Sequence, residues 1–243
     1  MMTDHASSST LLLYGIVRGS ATSNFDSVCG RPGVQQQPVA LIRCGPLAVF
    51  ASPLEDAEAL RTPSISTALE HKSIVDAAFA HGTVLPMRFG THVDTREALG
   101  DVLHPQEERY RIQLERLEGY AEMGVRLTFA LSSTAQPVEL GADESNAYRS
   151  SRPGTAYLLA RQRERSATEQ KTHRIVQTFR TKLAALTSDS AFSSDPEVSD
   201  GVSIAFLVPR EQTDAFREKT LDVTVPGVSS TEVVGPWAPY SFV

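Results

Sequence analysis

Apolar residues in this chain come in short blocks that switch between two periods. LLLYGIV (Leu11–Val17), VALIR (Val39–Arg43), LAVFA (Leu47–Ala51), TVLPMRF (Thr83–Phe89) and VSIAFLV (Val202–Val208) are compact runs bounded by polar residues, Gly or Pro. Such runs predict buried strands. In AEMGVRLTFAL, Met123, Val125, Leu127 and Phe129 alternate with polar or small residues, the period of a strand with one buried face. Between these blocks the period becomes helical. Ile65, Leu69, Ile74, Ala77 and Ala78 predict a helix over 64–80, with Ser64 as its cap and Gly82 just past its end. Residues 96–102 and 105–117 predict two short helices, the second opened by Pro105 and stopped at Gly119. Ile175, Phe179, Leu183 and Leu186 form one stripe on a long helix over 155–186, and residues 211–220 predict a short helix with Phe216 inward.

This mixture excludes an all-helical bundle and an all-strand sandwich. It predicts an α+β fold of two mixed domains, each a small sheet covered by helices. Cys44-Gly45-Pro46 marks a hairpin turn between two of the strands. The domains are expected at residues 1–119 and 120–243. The second, read as strand, long helix, strand, helix, strand, is ferredoxin-like. Either LDVTV (Leu221–Val225) or SSTEVV (Ser229–Val234) supplies the last strand, and residues 132–153 are expected to be an exposed loop. Residues 235–243 form an aromatic, uncharged tail.

Composition removes several functions. With 41% hydrophobic and 21% charged residues over 243 positions, the chain is of ordinary globular character. No apolar run approaches the roughly 18–20 residues that cross a bilayer, so no membrane span is expected. A net charge of −6 disfavours general binding to a nucleic-acid backbone. Cys29 and Cys44 follow a polar N-terminus without signal-peptide character, and read as small buried thiols in a reducing compartment.

Catalytic motifs are missing. The sequence has no GxxxxGK[ST], GxGxxG, GxSxG or CxxC, and its six histidines show no HExxH or HxH spacing. Glu55, Asp56 and Glu58 read as the first turn of a helix, where acids favour the positive end. No catalytic residue, metal ligand or cofactor site is therefore expected, and the chain is not read as an enzyme.

Three features invite a partner. Arg88 places a charge inside the apolar block TVLPMRF, either reaching a carboxylate or a partner from the sheet, or facing outward from an alternating strand or forming an internal salt bridge. Residues 156–186 carry seven Arg or Lys against two Glu, either a solvated face or a docking face for an acidic partner. The final VVGPWAPYSFV holds the single Trp, Trp237, together with Tyr240 and Phe242. Pro236 and Pro239 stiffen it and bar it from a helix or a central strand. Rings of this size bury roughly 150–250 Å² each. The segment is expected to be an ordered, extended strap on the body of the protein rather than a loose hook.

Four phrases occur in an order that resembles the gas vesicle accessory protein F/L family: LLLYGIV near the start, VLPMRFGT in the middle, GTAYLL opening the long helix and GPWAPYSFV at the end. The resemblance covers nearly the whole chain. One departure is Met123 before Gly124 and Val125, where the family pattern often has Trp. The resemblance implies two α+β domains and a non-enzymatic accessory protein of gas vesicle formation, located at the gas vesicle and in the cytoplasm. It implies no cofactor and contact with the hydrophobic shell protein and other accessory proteins. From the features above, Arg88, Trp237, Tyr240 and Phe242 are the expected partner-binding residues. The competing expectation, from the ferredoxin-like second half, is a ligand-sensing regulatory module.

Overall fold

A computed structural model describes residues 10–56, 64–129, 153–193 and 201–243. Two sheets organise it. The first is built around β1 (Leu11–Arg18), which pairs antiparallel with β3 (Leu47–Pro53) on one side and with β4 (Leu85–Pro86) and β5 (His92–Val93) on the other. β2 (Ala40–Cys44) completes the order β2-β3-β1-β4. β1 and β3 are buried along almost their whole length, which explains why both read as unbroken apolar runs rather than alternating ones.

The β2–β3 hairpin turns where expected. Gly45 takes φ +60° at the first central position and Pro46 follows with its ring-fixed negative φ, the sign pattern of a type II′ turn. β1 carries a bulge: Leu13 pairs with Ala51 and Gly15 with Phe50, so Tyr14 has no opposite residue. TVLPMRF is a shorter strand than its apolar length suggests. Only Leu85 and Pro86 pair with β1, because Pro86 has no N–H to continue the ladder. Met87 N–H adds one bond to Tyr14 O, and the chain turns at Gly90 with φ +86°.

α1 (Ile65–His81) begins where Ser64 accepts a hydrogen bond from Thr67 N–H at 3.1 Å. Gly82 ends it, though not in the left-handed conformation expected of a helix-terminating glycine. Its φ of 174° is extended, and a Cβ there would lie 2.9 Å from Phe25 Cζ, so close packing is what requires glycine. α2 (Arg96–Leu103) and α3 (Glu107–Arg116) follow the sequence expectation, with Thr95 capping α2 and Gly119 at φ +78° beyond α3. Glu55 and Asp56 do not begin a described helix. Glu55 accepts from Gln37 Nε2 at 2.7 Å, Glu55 N–H donates to Gln35 Oε1, and Asp56 O accepts from Gln35 Nε2. Glu58 lies outside the described residues.

The second sheet has the order β7-β8-β6-β9, from β6 (Tyr120–Phe129), β7 (Asp189–Ser193), β8 (Gly201–Pro209) and β9 (Val228–Trp237). With α4 (Pro153–Leu183) and α5 (Thr213–Leu221), the element order is β-α-β-β-α-β, the ferredoxin-like arrangement. SSTEVV, not LDVTV, supplies the last strand. β7 is absent from the sequence reading because DSAFS offers neither an apolar run nor alternation, and its Phe192 is 42% exposed. Met123, Val125 and Leu127 are buried while Arg126 and Thr128 are exposed, as the period of two requires. Ile175, Phe179 and Leu183 are buried along α4, and Phe216 of α5 meets Phe206 at 5.4 Å between ring centroids. The loop expected at 132–153 lies outside the described residues, apart from Pro153 at the start of α4.

The chain divides into two compact units: Met1–Met123 with Leu207–Thr213 and Gly235–Val243, and Gly124–Phe206 with Asp214–Val234. The first contains a buried cluster that runs from Leu12, Tyr14 and Phe50 through Ile74 and Phe79 to Ala121 and Ala238.

Candidate partner surface around the C-terminal tail

The tail is an integral part of the first unit. β9 is the edge strand of its sheet, the position at which Pro236 is tolerated. Gly235 has φ +104°, and a Cβ there would sit 2.7 Å from Glu122 O, so only glycine lets the tail approach β6 this closely. Past Trp237 the backbone closes two tight turns, Tyr240 N–H to Ala238 O at 2.9 Å and Phe242 N–H to Pro239 O at 3.2 Å. The expected extended segment thus ends in a short 3₁₀ turn, Tyr240–Phe242.

Glu122 is the residue that fixes it. Its side chain is buried in β6, where Ser241 N–H donates to Oε2 at 2.7 Å and Ser241 Oγ–H to Oε1 at 2.8 Å. The Trp237 indole N–H is a third donor to the same carboxylate. Burial raises the Glu122 pKa above the ordinary glutamate value, and the hydrogen bonds from Ser241 and Trp237 oppose that rise.

Above the Trp237 ring lies Lys72 Nζ, 5.3 Å from its centroid, and the same ammonium pairs with Asp76 at 2.5 Å one turn along α1. Burial first, then the Asp76 and Glu122 carboxylates, push the Tyr240 hydroxyl pKa strongly upward, so its phenol stays protonated across the physiological range. Phe242 is buried. Nearby, Arg210 stacks over Phe79 with its guanidinium carbon 3.7 Å from the ring centroid, and donates to Gly82 O at 2.9 Å and Tyr120 O at 3.4 Å.

The four residues singled out in the sequence therefore divide into two pairs. Arg88 and Tyr240 line one cleft of about 290 Å³, walled by the end of β4 and by Arg109, Tyr110 and Gln113 of α3. Trp237 and Phe242 instead face inward and hold the tail down. Arg88 is exposed and stands two residues beyond the end of β4. Sequence reasoning passed over Glu122, Lys72 and Arg210. Glu122 had a signal of the same kind as Arg88, a charge inside an otherwise apolar strand.

Among the described residues no group of three His, Cys, Asp or Glu could hold a metal ion, and no helix is long and apolar enough to cross a membrane. Neither cysteine is fully buried: Cys29 is exposed and Cys44 half-buried at the β2–β3 turn, which corrects the reading of both as core thiols. The basic stretch of α4 bears exposed Arg161 and Arg174, while the side chains of Arg163 and Arg165 lie outside the described residues.

The family model for "Gas vesicle synthesis protein GvpL/GvpF" matches residues 10–243. The chain belongs to the GvpL/GvpF family. Gas vesicle protein L of Streptomyces sp. (strain CB03234) is 28% identical, over 92% of this chain and 90% of that protein. Gas vesicle protein F of the same strain is also 28% identical, over 95% and 98%. The crystal structure of GvpF from Anabaena sp. PCC7120 superposes with a TM-score of 0.73, at 22% identity and over 96% of this chain and 95% of that one. GvpF from Microcystis aeruginosa gives 0.71, at 19% identity and over 96% and 98%. At these identities the structural likeness speaks to the fold alone, and it is the α+β fold described above. GvpL/GvpF is a gas vesicle accessory family, so the resemblance carried by the four sequence phrases holds.

Proposed function

We propose that this GvpL/GvpF protein binds the hydrophobic shell protein of the gas vesicle and assists its assembly, without catalysing a reaction. The observation that carries this reading is the family match, which spans residues 10–243. The physics is consistent. Shell subunits expose large apolar faces before assembly, and such faces associate laterally unless covered. A covering protein needs apolar and aromatic contacts within a polar rim. Tyr240 and Val243 offer partly exposed apolar surface at the cleft, and Ile65 and Leu69 are exposed one turn apart at the start of α1. The cleft lining contains Arg, Tyr, Thr and Gln side chains but no histidine, Asp or Glu side chain, which supports a docking role over general acid–base chemistry.

Arg88 and Tyr240 are the contact residues in this reading. Trp237 and Phe242, the other two residues assigned to partner binding, act indirectly by holding Tyr240 in place. The site of action is the growing vesicle in the cytoplasm. Deletion of the gene, with electron microscopy of the cells, tests the reading. Fewer or misshapen vesicles, restored by the intact chain, are expected. Vesicles of normal number and shape in a strain lacking every member of the family would overturn it.

A further inference from the structure

Residues 170–188 hold four Arg or Lys and no Asp or Glu, in a chain with 29 acidic residues. Lys171, Arg174, Thr178 and Lys182 of α4 follow steps of three, four and four, so they share one row along the helix, about 16 Å from end to end. The three cations are exposed, and none has an ion-pair partner among the described residues. In the same unit Arg126 does pair with Glu232, at 3.6 Å. Lys171 and Arg174 open onto a groove of about 590 Å³ between α4 and the loop residues Val225 and Pro226, and no Asp or Glu side chain lines it. The loop wall is a type II turn: Val228 N–H donates to Val225 O at 3.2 Å, Pro226 holds the first central position, and Gly227 holds the second at φ +87°. A Cβ on Gly227 would lie 2.9 Å from Lys171 Cε and 3.0 Å from its Nζ, so the glycine leaves the lysine end a seat against the turn.

A row of cations calls for a row of anions. A lipid surface does not fit, because the apolar side of α4, with Ile175, Phe179 and Leu183, is buried and the cationic row carries no ring or long apolar side chain to insert. Nucleic acid does not fit either, since no aromatic side chain lines the groove for base stacking and the net charge is −6. The exposed Pro226 and half-buried Val225 set apolar surface beside the cations, the mixture found in protein interfaces. A helix lying along α4 presents carboxylates at i, i+3, i+7 and i+11 with the same rise of about 1.5 Å per residue, and so meets the row in register.

We propose that this face of α4 docks an acidic helix of a partner protein, with Lys171, Arg174 and Lys182 each facing a carboxylate and with Val225 and Pro226 packing beside them. The interface lies in the second unit and stands apart from the shell-protein reading, whose contact residues Arg88 and Tyr240 belong to the first. Fluorescence polarisation with the full chain tests it, using a labelled Ala-rich helical peptide with Glu at i, i+3, i+7 and i+11, and its Gln counterpart. The Glu peptide is expected to bind about tenfold more tightly than the Gln peptide, the gap narrowing as salt is raised. Lys171→Gln with Arg174→Gln weakens its binding about tenfold. Arg31→Gln with Arg96→Gln, which removes the same charge from exposed positions of the first unit, leaves binding unchanged. Both double variants alter exposed side chains and are expected to melt with the wild type. Equal binding of the two peptides, an equal loss in the Arg31 and Arg96 variant, or tighter binding of phosphatidylserine vesicles or of single-stranded oligo-dT than of the Glu peptide would overturn the proposal.

Discussion

Ser241 delivers its backbone N–H and its hydroxyl to the two carboxylate oxygens of Glu122, at 2.7 and 2.8 Å, across 119 positions of sequence. One buried carboxylate thus anchors the last turn of the chain. Glu122→Ala would remove the acceptor and leave donors beneath the tail unpaired. Hydrogen bonds to a charged group contribute about 1.5–3 kcal/mol, so a loss of about 3 kcal/mol is expected in urea unfolding.

Glu122 also makes stability depend on pH. Burial raises its pKa in the folded protein, so between the ordinary glutamate value and the raised one the folded state keeps a proton that the unfolded chain releases. The stability this group contributes is complete in acid and is lost as pH rises through its raised value. Glu122→Gln cannot titrate. The melting temperature of the wild type minus that of Glu122→Gln should therefore fall as pH rises from below the ordinary glutamate range to neutrality. A difference that stays flat, or rises, would contradict the assignment.

Truncation after Val234 removes Trp237, with its Lys72 contact, and the buried Ala238, Pro239 and Phe242. Burying a large side chain contributes about 1.5–3 kcal/mol. A domain of this size loses about 2–4 °C per kcal/mol. Calorimetry should show a fall of about 10 °C. An unchanged melting temperature would make the tail a partner hook rather than a strap.

Arg210 is not replaceable by lysine. Its planar guanidinium stacks on Phe79 while donating to two backbone carbonyls, and an ammonium cannot do both. Arg210→Lys should cost about 1–2 kcal/mol, against no measurable cost for Arg161→Lys at an exposed position on α4.

Tyr14 shows how the bulge in β1 is used. Its hydroxyl accepts from Val34 N–H at 2.9 Å, shares a hydrogen bond with Ser52 Oγ at 2.8 Å, and its ring stacks on His71 at 5.0 Å. Tyr14→Phe leaves a buried N–H unpaired and should lower stability by about 1–3 kcal/mol in thermal unfolding.

The elements that sequence reached were those with strong periods. β1, the β2–β3 hairpin, α1 and the α4 stripe all follow from runs or spacings that admit one reading. β7 did not, because a strand of Asp, Ser and Ala with a single exposed Phe carries no pattern and is held by its neighbour in the sheet. The tail was legible in composition but not in mechanism. Trp237 and Phe242 announce burial, yet nothing near them in sequence points to Glu122, whose partners arrive from more than a hundred residues away. Arg88 and Tyr240 meet at one cleft for the same reason: the tail and β4 are joined by tertiary packing, which local spacing does not encode.

The central claim is that the chain binds the gas vesicle shell protein. Co-expression of the two, with affinity purification on the full chain and quantitation of the captured shell protein, tests it most directly. The account predicts stoichiometric capture, reduced by Arg88→Ala and lost on truncation after Val234. No shell protein retained above a control with an unrelated bait would contradict it.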